Sequence, residues 1–273
     1  MKQILIAILT VFCLINAMPA LAVTKAKSSD KVESLKYDAY YHKGFIWIKA
    51  GSGVLTQWDE QTDDGKNRKH AQLCGRTLSI AESLMKVRDT LECWYNPDVL
   101  PIEYVKKTNE GSYQAIERNY YHIFDDGNLK EISDGLDPAV IDSTKIDVYR
   151  WRNKKGNDRK TIVNGGEAYD MLTIFYKIRS LDFDNMAAGT KLKYYIVSGI
   201  KGRWMNVHYM GKTTCTLRSG KQYPAHRIEL TFQSKDSDST PLQVWLAQSP
   251  DHRPLSVIIQ LKRIGSIQGE IVE

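Results

Sequence analysis

Cysteine is scarce in this chain: four in 273 residues, and Cys13 lies in the apolar start, leaving Cys74, Cys93 and Cys215. An odd number cannot all pair within one chain, and three are too few to staple a fold of this size, so a hydrophobic core has to hold it. No Cys-x-x-Cys or His-x-x-x-His pair occurs, and the six histidines (His42, His70, His122, His208, His226, His252) are scattered. No familiar metal-ligand spacing is present. A Gly-x-Ser-x-Gly elbow is absent, and the "GSG" at 51–53 is too short to cradle a phosphate and leads into no helix. These absences remove the standard catalytic templates, so the chain reads as a non-enzyme without a cofactor. Beyond the start, no apolar run approaches the roughly 18 residues of a membrane-spanning helix. Charge is modest too: a formal +6 does not describe a dedicated nucleic-acid binder.

The start of the chain has its own logic. Lys2, the apolar run from Ile4 to Ile15 and the small-x-small Ala20-Leu21-Ala22 predict a secretory signal peptide over residues 1–22. Residues 23–33 (VTKAKSSDKVE) are small, charged and patternless, and read as a flexible lead-in. From residue 34 to 273 the pattern predicts a single antiparallel β domain. "VRDTLECWY" (87–95) and "HRIELTF" (226–232) alternate clearly between apolar and polar faces. Gly51 and Gly53 predict a bend or bulge in an early strand. A hairpin turning near 82–85 would set Cys74 opposite Cys93, within reach of a disulfide, unless helical character around Ala81 to Lys86 spoils the register.

Residues 133–146 lose the alternation, so a crossover segment with a helix is expected at about 133–185. In "EAYDMLTIFYKIRSL" (167–181), Met171, Leu172, Phe175, Ile178 and Leu181 recur at helical spacing, which predicts a helix over about 168–181 packing its stripe on the sheet. Tyr176 and Arg179 flank that stripe. Arg179 is too polar to be buried alone and should meet a carboxylate, with Asp89 and Asp170 as candidates. Many strands around one helix suit an antiparallel barrel-like, half-barrel or sandwich sheet, not βαβ winding.

Two polar clusters invite a functional reading. "KIDVYRWRNKKGNDRK" (145–160) holds seven basic and two acidic residues. Arg150, Arg152, Lys154 and Lys155 are the candidates for contacting anionic lipid head groups or an acidic partner, against the plainer reading of a solvated hairpin. Asp251-His252-Arg253 sit inside "QSPDHRP" (248–254), between two alternating runs. Two prolines with Asp after the first are type I turn chemistry. The triplet is therefore expected at a solvated hairpin tip, unsuited to acid–base work.

Several stretches together resemble a known family. "KVRDTLECWYNPDVLPIEYVKKTNEGSY" (86–113) carries Asp89, Glu92, Leu100, Pro101, Glu110 and Tyr113 where that family's pattern has them. "YDMLTIFYKIRSLDF" (169–183) carries Asp170, Tyr176 and Arg179, and the C-terminal "VWLAQSPDHRPLSVIIQLKRIGSIQGEI" (244–271) carries Trp245, Pro254, Gly265 and Ser266. An early strand from Leu35 to Leu55 matches through Tyr37, Ala50 and Gly51. The chain thus resembles the bacterial exported-protein family catalogued as domain of unknown function 3108. One family acid is replaced at Gln248-Ser249. The resemblance implies a barrel-like antiparallel fold and no particular activity.

The resulting expectation is an exported, non-catalytic binding protein in the periplasm or cell envelope of a Gram-negative bacterium, holding an apolar or acyl-chain ligand in a curved sheet. Fifteen tyrosines and six tryptophans favour it, with Tyr40-Tyr41, Tyr120-Tyr121 and Tyr194-Tyr195 placing one ring on each strand face. Phe175, Tyr176, Arg179, Asp89 and Asp170 would be its ligand or helix-docking residues. The alternatives are a protein-interaction component of an envelope complex, or an unrecognised hydrolase.

Overall fold

The computed structural model describes residues 27–63, 65–83, 85–132, 136–233, 241–261 and 265–272. The expected signal peptide lies outside them. Among the described residues, sixteen strands form one sheet. The first run is β1 (Lys27–Lys43), β2 (Ile46–Gln61), β3 (Asn67–Thr77), β4 (Arg88–Tyr95), β5 (Pro101–Glu110), β6 (Tyr113–Asp125), the short β7 (Asn128–Lys130), β8 (Ser143–Arg152) and β9 (Gly156–Gly165). The second is β10 (Ala168–Tyr169), β11 (Lys191–Ser198), β12 (Lys201–Thr216), β13 (Gln222–Phe232), β14 (Leu242–Ala247), β15 (Pro254–Leu261) and β16 (Gly265–Val272). β16 pairs with β1, so the two runs join into a single path that begins at β10 and ends at β9.

Those two terminal strands are consecutive in the chain, so the sheet must curl until its ends approach. The result is a nearly closed, barrel-like sheet. Across the seam, the Glu117 carboxylate of β6 accepts the Gly199 N–H from the β11–β12 turn at 2.9 Å. Tyr195, Val197 and Ile200 also share an apolar cluster with Ile146, Val148 and Ile162. The curl depends on close backbone approach at Gly51, where a Cβ would lie 2.6 Å from the Arg76 carbonyl oxygen. A bulge between Ala39 and Tyr40 falls beside it, as the two glycines led one to expect.

Three sequence expectations change. β1 begins at Lys27 and pairs with β2 from there, so residues 27–33 are strand and not a flexible lead-in. The 133–185 region is no simple crossover: β8 and β9 form a hairpin paired onto β6, although the sequence pattern there is weak. Cys74 faces Thr90 and Cys93 faces Ala71, so the two cysteines do not meet; all three are free. The one-turn helix α1 (Ser79–Glu82) between β3 and β4 shifts the register that a tight turn would have set.

The helix α2 is Thr173–Arg179, half the expected length. Ala168 and Tyr169 pair in parallel with Tyr195 and Ile196. Asp170 then starts the helix: its Oδ1 accepts N–H bonds from Leu172 and Thr173 at 2.8 and 2.7 Å, and Oδ2 accepts the Thr173 hydroxyl at 2.6 Å. That satisfies orphan donors at the helix start. Burial still pushes the Asp170 carboxyl up to about 6. The helix buries more than one stripe. Leu172 and Tyr176 enter a cluster built largely from β1–β9, while Ile174 and Ile178 enter one built from β10–β15. Met171 touches both. α2 thus packs against both runs of strands and joins them.

Candidate functional site

The residues named from the sequence do not converge. Tyr176 is buried and stacks on Tyr95, ring centres 5.2 Å apart. Phe175 is half-buried against the second cluster. Arg179 meets neither Asp89 nor Asp170. It forms a two-pronged pair with Glu33 of β1, at 3.0 and 2.6 Å, and donates to the Asp251 carbonyl oxygen at 3.1 and 2.9 Å. Burial disfavours its charge, but Glu33 outweighs that and holds the guanidinium firmly protonated. Asp170 is a helix cap, and Asp89 lies elsewhere. Nothing in the sequence pointed to Glu33, which sits 146 positions from Arg179.

The 248–253 segment is a turn, as expected, with the His252 N–H donating to the Ser249 carbonyl oxygen at 2.9 Å. Gln248, Pro250 and Asp251 are exposed at its tip, as expected, but His252 and Arg253 are partly buried against the helix end. The His252 ring Nδ1–H donates to the Arg179 carbonyl oxygen at 2.8 Å, satisfying the end of α2. Phe183 packs edge-on to His252 and face-on to His226, at 5.1 and 4.8 Å. His226 is buried and shares a 2.9 Å hydrogen bond with the Tyr209 hydroxyl. Burial, with His252 next, lowers its affinity for a proton. His252 takes φ of +41°, a left-handed backbone that the docking has to hold. This aromatic cluster locks the turn to the helix end.

Asp89 belongs to a second constellation, where β4 begins and β5 ends. It is buried beside Glu110, and its Oδ1 accepts the Asn109 N–H at 2.7 Å. Burial raises both carboxyls; the Asp89 charge raises Glu110 further, to about 7, whereas the Asn109 N–H and a hydrogen bond from Glu110 offset part of the rise at Asp89. Two adjacent buried carboxyls cannot both ionise cheaply, so one proton stays with the pair near neutrality. No metal-binding group of three ligands occurs among the described residues.

The strongest surface feature was not anticipated. Antiparallel alternation brings the β1–β2, β3–β4, β5–β6, β8–β9 and β11–β12 connections to one end of the sheet. There a two-residue turn, Gly44 at φ +60° followed by Phe45, leaves Phe45 94% exposed. Ile46, Trp47 and Ile48 extend the exposed apolar run down β2, and Ile80 of α1 is exposed at the same end. Trp47 is held rigidly, stacked on His42 at 3.9 Å with the Arg218 guanidinium 4.1 Å from its ring. A bulky apolar residue at a tight turn is the signal that the sequence offered, hidden because the residues around it read simply as strand.

Lysines are exposed in the connections of this end: Lys43, Lys86, Lys154, Lys155 and Lys201. The four sequence-chosen cations therefore divide. Arg150 and Arg152 are occupied by Asp158, at 2.9 and 2.6 Å. Lys154 and Lys155 stand at the β8–β9 turn, with Lys154 reaching the Ser112 hydroxyl at 3.0 Å. Among the described residues of this end, Asp89, Glu110 and Glu117 are buried, and Glu82 is paired with Arg88.

A family model described as "Protein of unknown function (DUF3108)" matches residues 36–272. A solved structure titled "Crystal Structure of Beta-barrel-like Protein of Domain of Unknown Function DUF1849 from Brucella abortus" is similar, with a TM-score of 0.51 and 8% identity. That match covers 88% of this chain and 95% of the other, and the likeness concerns the fold alone. No curated protein matches. No helix among the described residues is long and apolar enough to cross a membrane.

Proposed function

Because the chain belongs to the family described as protein of unknown function DUF3108, we propose from its geometry that it is an exported, non-catalytic docking protein of the cell envelope. The observation that carries this reading is the exposed apolar tip at Phe45, Ile46, Trp47 and Ile48, at an end of the sheet whose connections also expose lysines. Exposed apolar side chains gathered at one place mark a binding surface, whereas scattered ones do not. The interior supports the same reading, because α2 packs its apolar side chains against both runs of strands inside the sheet. The signal-peptide pattern over residues 1–22 supports export.

A photo-crosslinking amino acid at position 45 in the producing bacterium tests this. The expected result is an adduct with an envelope component that position 129 does not give. Leu129 is also exposed but belongs to β7, past the opposite end of β6. Equal labelling at both positions, or recovery of the protein in the cytoplasm, would overturn the reading.

A second reading, an apolar or acyl-chain ligand, has one observation in its favour. A recess of about 520 Å³ is lined by Ile102, Tyr121, Leu129 and Ile132 together with Arg68 and His122. A lipid retained through native mass spectrometry, and lost on Ile132→Asp, would favour it over docking.

A further inference from the structure

We infer that the partner of the Phe45 end is an anionic lipid bilayer surface, an inference that rests on the docking reading above and specifies what is docked. Shape is the first argument. A two-residue turn that projects Phe45 almost wholly into solvent makes a narrow convex point, and not the flat patch that two folded proteins bury between them. Such a point can enter the boundary between head groups and acyl chains, where buried apolar area drives binding.

The second argument is the order of residue types away from the tip. Phe45 comes first and is wholly apolar. Trp47 follows, stacked on the His42 ring and in contact with the Arg218 guanidinium. Arg218 also lies 4.7 Å from the Tyr40 ring. Tryptophan, tyrosine and a guanidinium stacked on them are the groups that settle at head-group depth. The exposed lysines in the connections of the same end each carry an ammonium group on a flexible stem able to reach a phosphate.

Charge is the third argument. Lys43, Lys86, Lys154, Lys155 and Lys201 face outward, while the described carboxylates of this end are buried or already paired. Burial favours the neutral forms of Asp89 and Glu110, which lessens the negative charge of this end. A cationic end with an apolar point is complementary to a negatively charged membrane surface, with each lysine worth roughly fivefold in partitioning. An acidic protein face would satisfy the lysines but would leave Phe45 without a fitted pocket.

The test is sedimentation of the protein, as purified from the producing cell, with vesicles of about 30% phosphatidylglycerol in phosphatidylcholine, against pure phosphatidylcholine. Binding should be at least about tenfold stronger to the anionic vesicles and should fall as salt rises. Phe45→Ser should weaken it about tenfold or more, and Lys154→Gln with Lys155→Gln about twentyfold together. Leu129→Ser should leave it unchanged. Circular dichroism confirms that each variant is folded. In a parallel measurement, Phe45→Trp should add fluorescence to that of the parent protein, and brominated lipids should quench the added part. Equal binding to neutral vesicles, no binding to either, or added emission that brominated lipids leave untouched would overturn the lipid inference. An adduct from position 45 with an envelope protein would then leave the docking reading standing on its own.

Discussion

The two ends of the sheet carry similar ingredients and use them oppositely. At one end the 248–253 turn brings His252, Arg179 and Phe183 together, and their polar atoms find partners across 70 or more positions of sequence. At the other end the Gly44-Phe45 turn presents Phe45 and its lysines to solvent. What differs is the interior. The C-terminus of α2 emerges at the first end and offers unsatisfied carbonyls, which His252 and Arg179 organise. Among the described residues, no such element reaches the Phe45 tip. A tight turn docks on a helix end that needs capping, and remains an interaction surface where no such end is present.

Substitutions can break this contrast. The largest loss should come at the locked end. Phe183→Ala removes a fully buried ring lying against His226, His252 and Tyr209, and should cost about 3–5 kcal/mol in urea unfolding. A loss under about 1 kcal/mol would mean that the cluster is not a unit. Glu33→Ala should follow at about 2–4 kcal/mol, because it leaves the Arg179 guanidinium without its carboxylate in a mostly buried setting. Should the effect instead vanish in moderate salt, the pair would be behaving as a surface ion pair.

The carboxyl pair makes a pH prediction. Glu110 has its folded-state value raised from 4.5 to about 7, chiefly by burial and then by Asp89. A raised acid binds its proton more tightly in the folded state, so its stabilisation is complete below about 4.5 and is lost as pH rises through about 7. Glu110→Gln cannot ionise. Its unfolding free energy should therefore decline less than the wild type's between those two values, and parallel slopes would refute the assignment. The smallest effect belongs to the open end. Phe45→Ala should change stability by no more than about 0.5 kcal/mol, as is usual for exposed sites. A larger loss would place Phe45 in the fold, and the contrast between the ends would collapse.

Much of the fold was legible. The strict alternation of Asp89, Leu91, Cys93 and Tyr95 reappears as four buried positions on one face of β4. The turn at Ser249 to His252 and the buried His226 were also readable. The family pattern was recognisable over almost the whole described chain. The helix was legible only in kind. Its apolar spacing was real, but sheet pairing claimed Ala168 and Tyr169, and Asp170 fixed the start three residues further on. The site was hardly legible at all. Asp170 and Arg179 were the right residues with the wrong partners, because a charged side chain carries no local mark of which distant charge it will meet.

The sequence by itself determined the strands and turns and the apolar faces, because these follow from side-chain periodicity and the backbone limits of glycine and proline over a few residues. Only the tertiary structure decided that Glu33 leaves the lead-in to bind Arg179, that His252 turns inward and that Phe45 stays out. Each of those outcomes depends on which groups a closed sheet brings within about 3 Å of one another, a distance set by the curl of sixteen strands and not by any stretch of them.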